Sequence, residues 1–346
     1  MTSTGPALLG PLLRDVSRSF YLTLRVLPSA IRAQIGLAYL LARATDTIAD
    51  TVVVPVEERL NALGRLRDCI LGALGRELDL VRFARAEAAP GAATAAEHAL
   101  LGRIGETLAV LATFPPGDQQ LIRAVLNTII SGQALDLRRF TSVASVPNSP
   151  RKVIALQTDA ELDDYTYRVA GCVGEFWTKI CRAHLFPTAP LDYASLLTNG
   201  VRFGKGLQLV NILRDLPRDL REGRCYLPQE WLATHGLTPE SLLDPANLPR
   251  FRPFYANYMQ MAETYLADGW AYTNALPRAE ARLRLACAWP VLIGMKTLSR
   301  LSAGNVLDPS QRIKISRGDV RQLMIWSVLC YPWPAAWNAM FNRSRP

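Results

Sequence analysis

Two aspartate pairs spaced four residues apart constrain this 346-residue chain more than any other feature. Asp46 and Asp50 lie inside LAYLLARATDTIADT, and Asp215 and Asp219 inside GLQLVNILRDLPRDLREGR. At about 100° per residue, each pair shares one helix face. Two carboxylates so placed repel by roughly 0.2–0.5 kcal/mol on an isolated helix. Their neighbours extend the pattern. Tyr39, Arg43, Asp46 and Asp50 form one stripe, and Gln208, Asn211, Asp215 and Asp219 form a second. LAYLL and LQLVNIL are core-like, so both stripes are predicted to be largely shielded inside a helical bundle. One D-x-x-x-D is ordinary surface decoration. Two copies inside apolar helices are not.

Buried carboxylates without partners are expensive. Mg2+ answers that chemistry, because it takes oxygen ligands, often one or two carboxylates, and completes its octahedron with water and phosphate. The two motifs facing each other would gather up to four carboxylates around one cavity. The expected ligand set is Asp46, Asp50, Asn211, Asp215 and Asp219. Arg43, Arg214 and Arg224 are expected to contact a substrate diphosphate, since guanidinium suits bidentate recognition of oxyanions. Pro217 is predicted to break or distort its helix, leaving Asp219 just past the last regular turn.

The rest of the chain reads as helical. Apolar residues recur at three- and four-residue spacing over 29–50, 55–80, 97–112, 117–139, 161–185, 192–216, 254–275, 278–302 and 317–330. Pro115-Pro116-Gly117 and the stretch 146–150 mark turns. Residues 84–96 and 236–253 read as long loops, neither polar enough for an interdomain linker. The prediction is one all-α domain over 1–346, with 326–346 an aromatic, Pro-containing tail.

Composition narrows the function classes. Apolar residues make up 49% of the chain, which excludes wholesale disorder. Six cysteines without a C-x-x-C pair read as reduced, mostly buried thiols. Three histidines in no cluster argue against a zinc site. The net charge of +9 is consistent with a partner of opposite sign, an anionic lipid surface or a phosphorylated substrate, or with none. Dispersed arginines and no recognition motif exclude nucleic acid. The first residues do not resemble a signal peptide, and no run is long and apolar enough to span a bilayer. Met324–Phe341 comes closest. It reads as a terminal helix with a Pro-rich tail, or as an aromatic membrane-surface anchor.

The motifs in order resemble the head-to-head isoprenoid synthases, the squalene and phytoene synthases, from residue 17 to about 318. Ser17-Arg18-Ser19-Phe20 resembles an early diphosphate-contacting segment of that family, and YLLARATDTIAD its first acidic motif in the squalene-forming version. Tyr165-Thr-Tyr167-Arg-Val169-Ala-Gly171-Cys-Val-Gly174 resembles the Y-x-x-x-V-A-G-x-V-G block. QLVNILRDLPRD and Arg224-Cys-Tyr-Leu-Pro228 resemble the second acidic motif and the segment after it. Cys287-Ala-Trp-Pro290 is similar to a stretch lining the second-step pocket. Lys314-Ile-Ser-Arg317-Gly318 is similar to one linked with cofactor binding.

The resemblance implies an all-α isoprenoid-synthase bundle around a central cavity, with Mg2+ and NADPH as cofactors. It implies that two farnesyl diphosphates condense to presqualene diphosphate, which is then reduced to squalene. Tyr39, Tyr165, Arg43 and the four aspartates become the catalytic set. Arg18, Ser19, Phe20, Val169, Gly171, Gln208, Asn211, Arg214, Arg224 and Pro290 become substrate contacts, and Lys314 and Arg317 cofactor contacts. The alternatives are a phytoene- or dehydrosqualene-type synthase, an enzyme stopping at presqualene diphosphate, or a non-catalytic membrane-associated assembly protein on the same fold. No G-x-G-x-x-G follows a strand, so the reductive step rests on the resemblance alone. The expected form is bacterial, monomeric and cytoplasmic, peripheral on the inner face of the membrane.

Overall fold

A computed structural model of the chain describes residues 8–17, 21–75, 80–84, 94–140, 152–311 and 313–346. Arg18, Ser19 and Phe20, the turn at 146–150 and most of the loop at 84–96 lie outside the described residues. The chain divides into two compact units. One comprises Met1–Thr141 with Phe176–Thr188, the other Ser142–Glu175 with Ala189–Pro346. The architecture is all-α, as predicted.

In the first unit, α1 (Ser29–Asp50) is the central element. It packs against α2 (Val56–Leu71), α3 (Ala95–Gly102), α4 (Ile104–Leu111) and α5 (Pro116–Phe140). Its buried residues Ile31, Ile35, Ala38, Leu41, Thr45 and Ile48 recur at three and four, the signature of a helix with a wide buried face. Helix α2 stops short of the predicted residue 80. Gly72 adopts φ 83°, and the Ala73 N–H donates to Asp68 O at 2.9 Å. That is a Schellman cap, and glycine takes its left-handed residue without steric cost. The predicted helix 97–112 is split at Arg103 into α3 and α4. Thr94 and Glu97 form a capping box at the start of α3.

The second unit begins with a two-residue strand β1 (Ile154–Ala155) and α6 (Asp159–Thr166). A π-helical turn at Tyr167–Gly171 leads into α7 (Cys172–His184), where the chain passes between units after Glu175. Then come α8 (Tyr193–Arg221), β2 (Arg224–Cys225), α9 (Leu248–Ala275), α10 (Ala281–Ala303), α11 (Arg317–Cys330) and α12 (Pro334–Ser344). The strands pair in parallel, Ile154 opposite Arg224. Helix α8 packs along α9, α10 and the π-helical turn. The close approach is set by glycine. A Cβ at Gly174 would lie 1.9 Å from Gly200 O, and one at Gly204 would lie 2.2 Å from Ala170 O. No side chain fits at either position.

Two further segments differ from expectation. The predicted loop 236–253 turns helical at Leu248. Pro249 stands in the first turn of α9, where the missing N–H has no intrahelical partner to lose. The Pro-containing tail is itself helical. Pro334 opens α12, and Trp337 and Phe341 are buried, both stacked on Trp270. Five cysteines are buried, Cys330 is half-buried, and none forms a disulfide.

Candidate functional site

The first acidic motif occupies the C-terminal part of α1. The Gln133 amide on α5 donates to Asp46 Oδ1 at 2.5 Å, and the other Gln133 terminal atom, Oε1, is buried with no partner. Arg43 Nη1 lies 3.7 Å from Asp46 Oδ2. The main bonds of Arg43 go elsewhere. Its Nε donates to Glu97 Oε1 at 2.9 Å, and its Nη2 reaches the same oxygen. Burial opposes the charge of Glu97, but hydrogen bonds from Thr94 N–H and Arg43 outweigh it and hold the carboxyl below its ordinary value. Asp46 behaves oppositely. Burial, and then the charge of Asp50, push it up to about 7 against Arg43 and Gln133. Its side chain still keeps 46% of its area accessible, so the carboxylate is only half-covered. Asp50 is exposed at the last residue of α1. A carboxylate at that end meets the negative pole of the helix, at roughly 0.3–1 kcal/mol.

The second motif occupies the last turns of α8, and its partners come from α8 itself. Arg214 grips Asp215 with two bonds, Nε to Oδ1 at 2.9 Å and Nη2 to Oδ2 at 2.7 Å. Arg218 Nη2 lies 3.3 Å from Asp219 and 4.0 Å from Asp215. Asp219 is buried. Burial pushes it up to about 7 despite Arg218, with Asp215 adding to the rise. The predicted shielding is thus uneven. Asp219 is covered, Asp46 and Asp215 are half-covered, and Asp50 is open.

Pro217 does not end α8, which runs on to Arg221. This corrects the expectation that Asp219 lies past the regular helix. A proline at 217 cannot donate to the carbonyl four residues back, and that carbonyl belongs to the fully buried Leu213. The Tyr255 hydroxyl on α9 donates to Leu213 O at 3.1 Å. A buried carbonyl left unpaired would be costly. Tyr255 satisfies it, and the helix continues with Asp219 on the same face as Asp215.

The other predicted residues are distributed as follows. Tyr39 is half-buried on α1. Tyr165 is buried at the end of α6 and stacks on Tyr226 at 4.7 Å. Val169 and Gly171 lie in the π-helical turn, a distortion often found at functional sites. A Cβ at Gly171 would crowd Tyr167, Lys205 and Val201 at 3.1–3.3 Å, so the glycine also serves packing. Gln208 and Asn211 contact each other at 3.4 Å. Arg224 is half-buried on β2, and Pro290 is half-buried within α10. Lys314 and Arg317 are exposed beside the start of α11. Gln133, Glu97 and Tyr255 had no signal in the sequence, because each matters only through a partner far along the chain.

Among the described residues, no three His, Cys, Asp or Glu side chains cluster tightly enough to hold a metal by themselves. The donors come as carboxylate pairs, with Asp46 and Asp219 both disfavoured as bare anions. Such pairs suit Mg2+, which keeps water and phosphate in its shell and needs few protein ligands.

Solved structures share this fold. The complex of TcSQS with the ligand E5700 matches with a TM-score of 0.77 over 99% of this chain and 90% of that one, at 21% identity. Squalene synthase HpnC from Alicyclobacillus acidocaldarius matches with a TM-score of 0.56 over 92% and 94%, at 18% identity. The fold class is therefore the helical isoprenoid-synthase fold. The squalene/phytoene synthase family model matches residues 13–319, and the chain belongs to that family. Its members are prenyltransferases that join isoprenoid chains head to head and use a divalent metal. A 15-cis-phytoene synthase from Enterobacter agglomerans is 39% identical over 40% of this chain and 45% of its own length. A bifunctional lycopene cyclase/phytoene synthase from Arthroderma gypseum is 26% identical over 77% of this chain and 42% of its own. The chain thus spans less than half the length of these relatives. A squalene synthase from Schizosaccharomyces pombe is 23% identical over 92% of this chain and 64% of its own.

Proposed function

We propose that the chain condenses two farnesyl diphosphates head to head to presqualene diphosphate, and reduces that product with NADPH to squalene. The observation that carries the first step is the pair of carboxylate motifs, each with one aspartate pushed up to about 7 by burial. Asp46, Asp50, Asn211, Asp215 and Asp219 are the proposed holders of Mg2+. Once bound, Mg2+ supplies charge that stabilises the departing diphosphate. Gln133 aims the Asp46 carboxylate, and Arg214 fixes that of Asp215. Arg224, with Arg18, Ser19, Gln208 and Arg214, is proposed to contact the diphosphates. Phe20, Val169, Gly171 and Pro290 are proposed to contact the isoprenoid chains.

Tyr39, and the Tyr165 ring face not covered by Tyr226, are proposed to stabilise a cation, by about 0.5–2 kcal/mol. The apolar cavity that the family resemblance implies would keep water from quenching an allylic cation. Lys314 and Arg317 are exposed cations that suit the anionic parts of NADPH, which when bound supplies the hydride of the second step. The D-T form of the first motif and the Cys287–Pro290 and Lys314–Gly318 segments support the squalene product. The likeness to phytoene synthases supports a second reading, a phytoene- or dehydrosqualene-type synthase that needs no reductant.

Product analysis with farnesyl or geranylgeranyl diphosphate and Mg2+, with and without NADPH, tests these readings. Squalene formed only with NADPH supports the first. A phytoene or dehydrosqualene product independent of NADPH supports the second. Presqualene diphosphate persisting beside NADPH assigns the first step alone. No turnover of either substrate removes the catalytic reading. The chain is further proposed to be a cytoplasmic monomer, peripheral on the inner face of a membrane. Among the described residues no helix is long and apolar enough to cross one.

A further inference from the structure

Helix α11 leaves much of its apolar surface uncovered. Ile325, Trp326, Val328 and Leu329 are each about half exposed, and Trp333, just beyond the helix, is 64% exposed. The inward side holds Val320, Leu323 and Met324 half-buried and is tied down by two polar attachments. Ser327 is fully buried and accepts a hydrogen bond from Trp289 Nε1 of α10 at 2.8 Å. Asp319 is gripped by Lys296 at 2.9 Å and by Arg300 at 2.6 Å, also from α10. These two polar attachments fix the rotation of α11 and hold the apolar side outward. At about 100° per residue, Ile325, Trp326, Val328 and Leu329 share a half-circumference with Arg317 and Arg321, both exposed. A contiguous exposed apolar patch of this kind marks an interaction surface.

Charge decides between occupants. Residues 310–346 contain six basic side chains and one acidic, Asp319. Asp319 faces inward and is already paired. A second copy docked through this face would bring the same arginines together with no acidic counterpart, at a repulsive cost. An anionic bilayer supplies both missing complements, a negative surface for the arginines and an apolar layer for Ile325, Leu329 and the tryptophans. Tryptophan favours the headgroup boundary. We infer that the outward face of α11, extended by Trp333, is the surface through which the chain lies on an anionic membrane. The tail as a whole is not the anchor, because Trp337 and Phe341 are spent in the core. This deepens the peripheral placement proposed above and does not depend on which isoprenoid is made.

The test is flotation of the full chain with vesicles of phosphatidylcholine alone or mixed with phosphatidylglycerol, at low and high salt, beside size-exclusion chromatography at several concentrations. The wild type is expected to float with the anionic vesicles at low salt, with a blue shift in tryptophan emission. The triple variant I325S/W326S/L329S is expected to lose at least about tenfold of that binding, with an unchanged melting temperature. Arg321→Gln is expected to weaken binding and its salt dependence. Wild type that fails to float removes both this surface and the membrane placement. A triple variant that floats like wild type removes this surface alone. Equal binding to neutral vesicles refutes the charge argument. A concentration-dependent dimer abolished in the triple variant, without vesicle binding, reassigns the face to self-association.

Discussion

In the carboxylate pair on α1, Asp46 is held by a side chain from another helix, whereas the pair on α8 is held by arginines of its own helix. On α1, Gln133 comes from α5, and Arg43 is drawn toward Glu97 of α3. On α8, Arg214 and Arg218 flank the aspartates in sequence. The spacing is the same, and in each pair one carboxylate raises the other. What differs is where the relief comes from. The α1 motif depends on helix packing for its geometry. The α8 motif supplies its own counter-charges but depends on α9 for its backbone, because Pro217 removes a bond that Tyr255 replaces. In both, one aspartate remains disfavoured as an anion, which leaves each motif a reason to take up a cation.

The largest expected effect falls on both helices alike. Asp46→Asn and Asp215→Asn should each lower turnover by at least about tenfold with folding intact. Steady-state kinetics beside thermal melts check this, and full activity in either variant would refute the metal-binding reading. A change at Tyr255 should separate the helices. Tyr255→Phe leaves the Leu213 carbonyl buried without a donor, at about 1–3 kcal/mol. Adding Pro217→Ala restores a backbone N–H, so the double variant should recover much of that loss. Denaturant unfolding of the four proteins measures the interaction, and strictly additive effects would show that Tyr255 acts only through packing.

Gln133→Leu probes the α1 side. It should raise the Mg2+ concentration needed for half-maximal activity by roughly three- to tenfold, because Asp46 loses the group that aims it. An unchanged Mg2+ requirement would leave Gln133 a packing residue.

The smallest effect is in pH. Asp46 and Asp219 are raised to about 7 in the folded chain, well above the ordinary value near 3.9 of an unfolded aspartate. The folded state therefore binds more protons between those values. Stability without metal should fall as pH rises from about 4 to 7, and Mg2+ should bind more tightly over the upper part of that range. Melting curves in EDTA and in Mg2+ across this window check the sign, and Asp46→Asn should flatten the EDTA curve. A metal-free melting temperature that climbs toward pH 7 in wild type and stays unchanged in Asp46→Asn would contradict it.

The sequence by itself determined the all-α class, the bounds Ser29–Asp50 of α1, and the two polar stripes with their aspartates. Each is a local property. Helical periodicity and same-face spacing repeat within a few residues and need no partner to be read. The family motifs were legible for the same reason, as short strings in order. Only the tertiary structure decided what controls those aspartates. Glu97 lies 54 residues from Arg43, Gln133 lies 87 from Asp46, and Tyr255 lies 42 from Leu213. No local pattern links such positions. It also decided that α8 passes through Pro217, since the helix breaks or continues according to whether another element supplies the lost donor. The outward turn of α11 belongs with these. Its apolar residues read as a terminal helix or as a membrane-surface anchor, and only the attachments through Trp289, Lys296 and Arg300 showed which face turns inward. Burial and hydrogen-bond satisfaction are properties of the packed chain, and they chose among conformations that local preference left nearly equal.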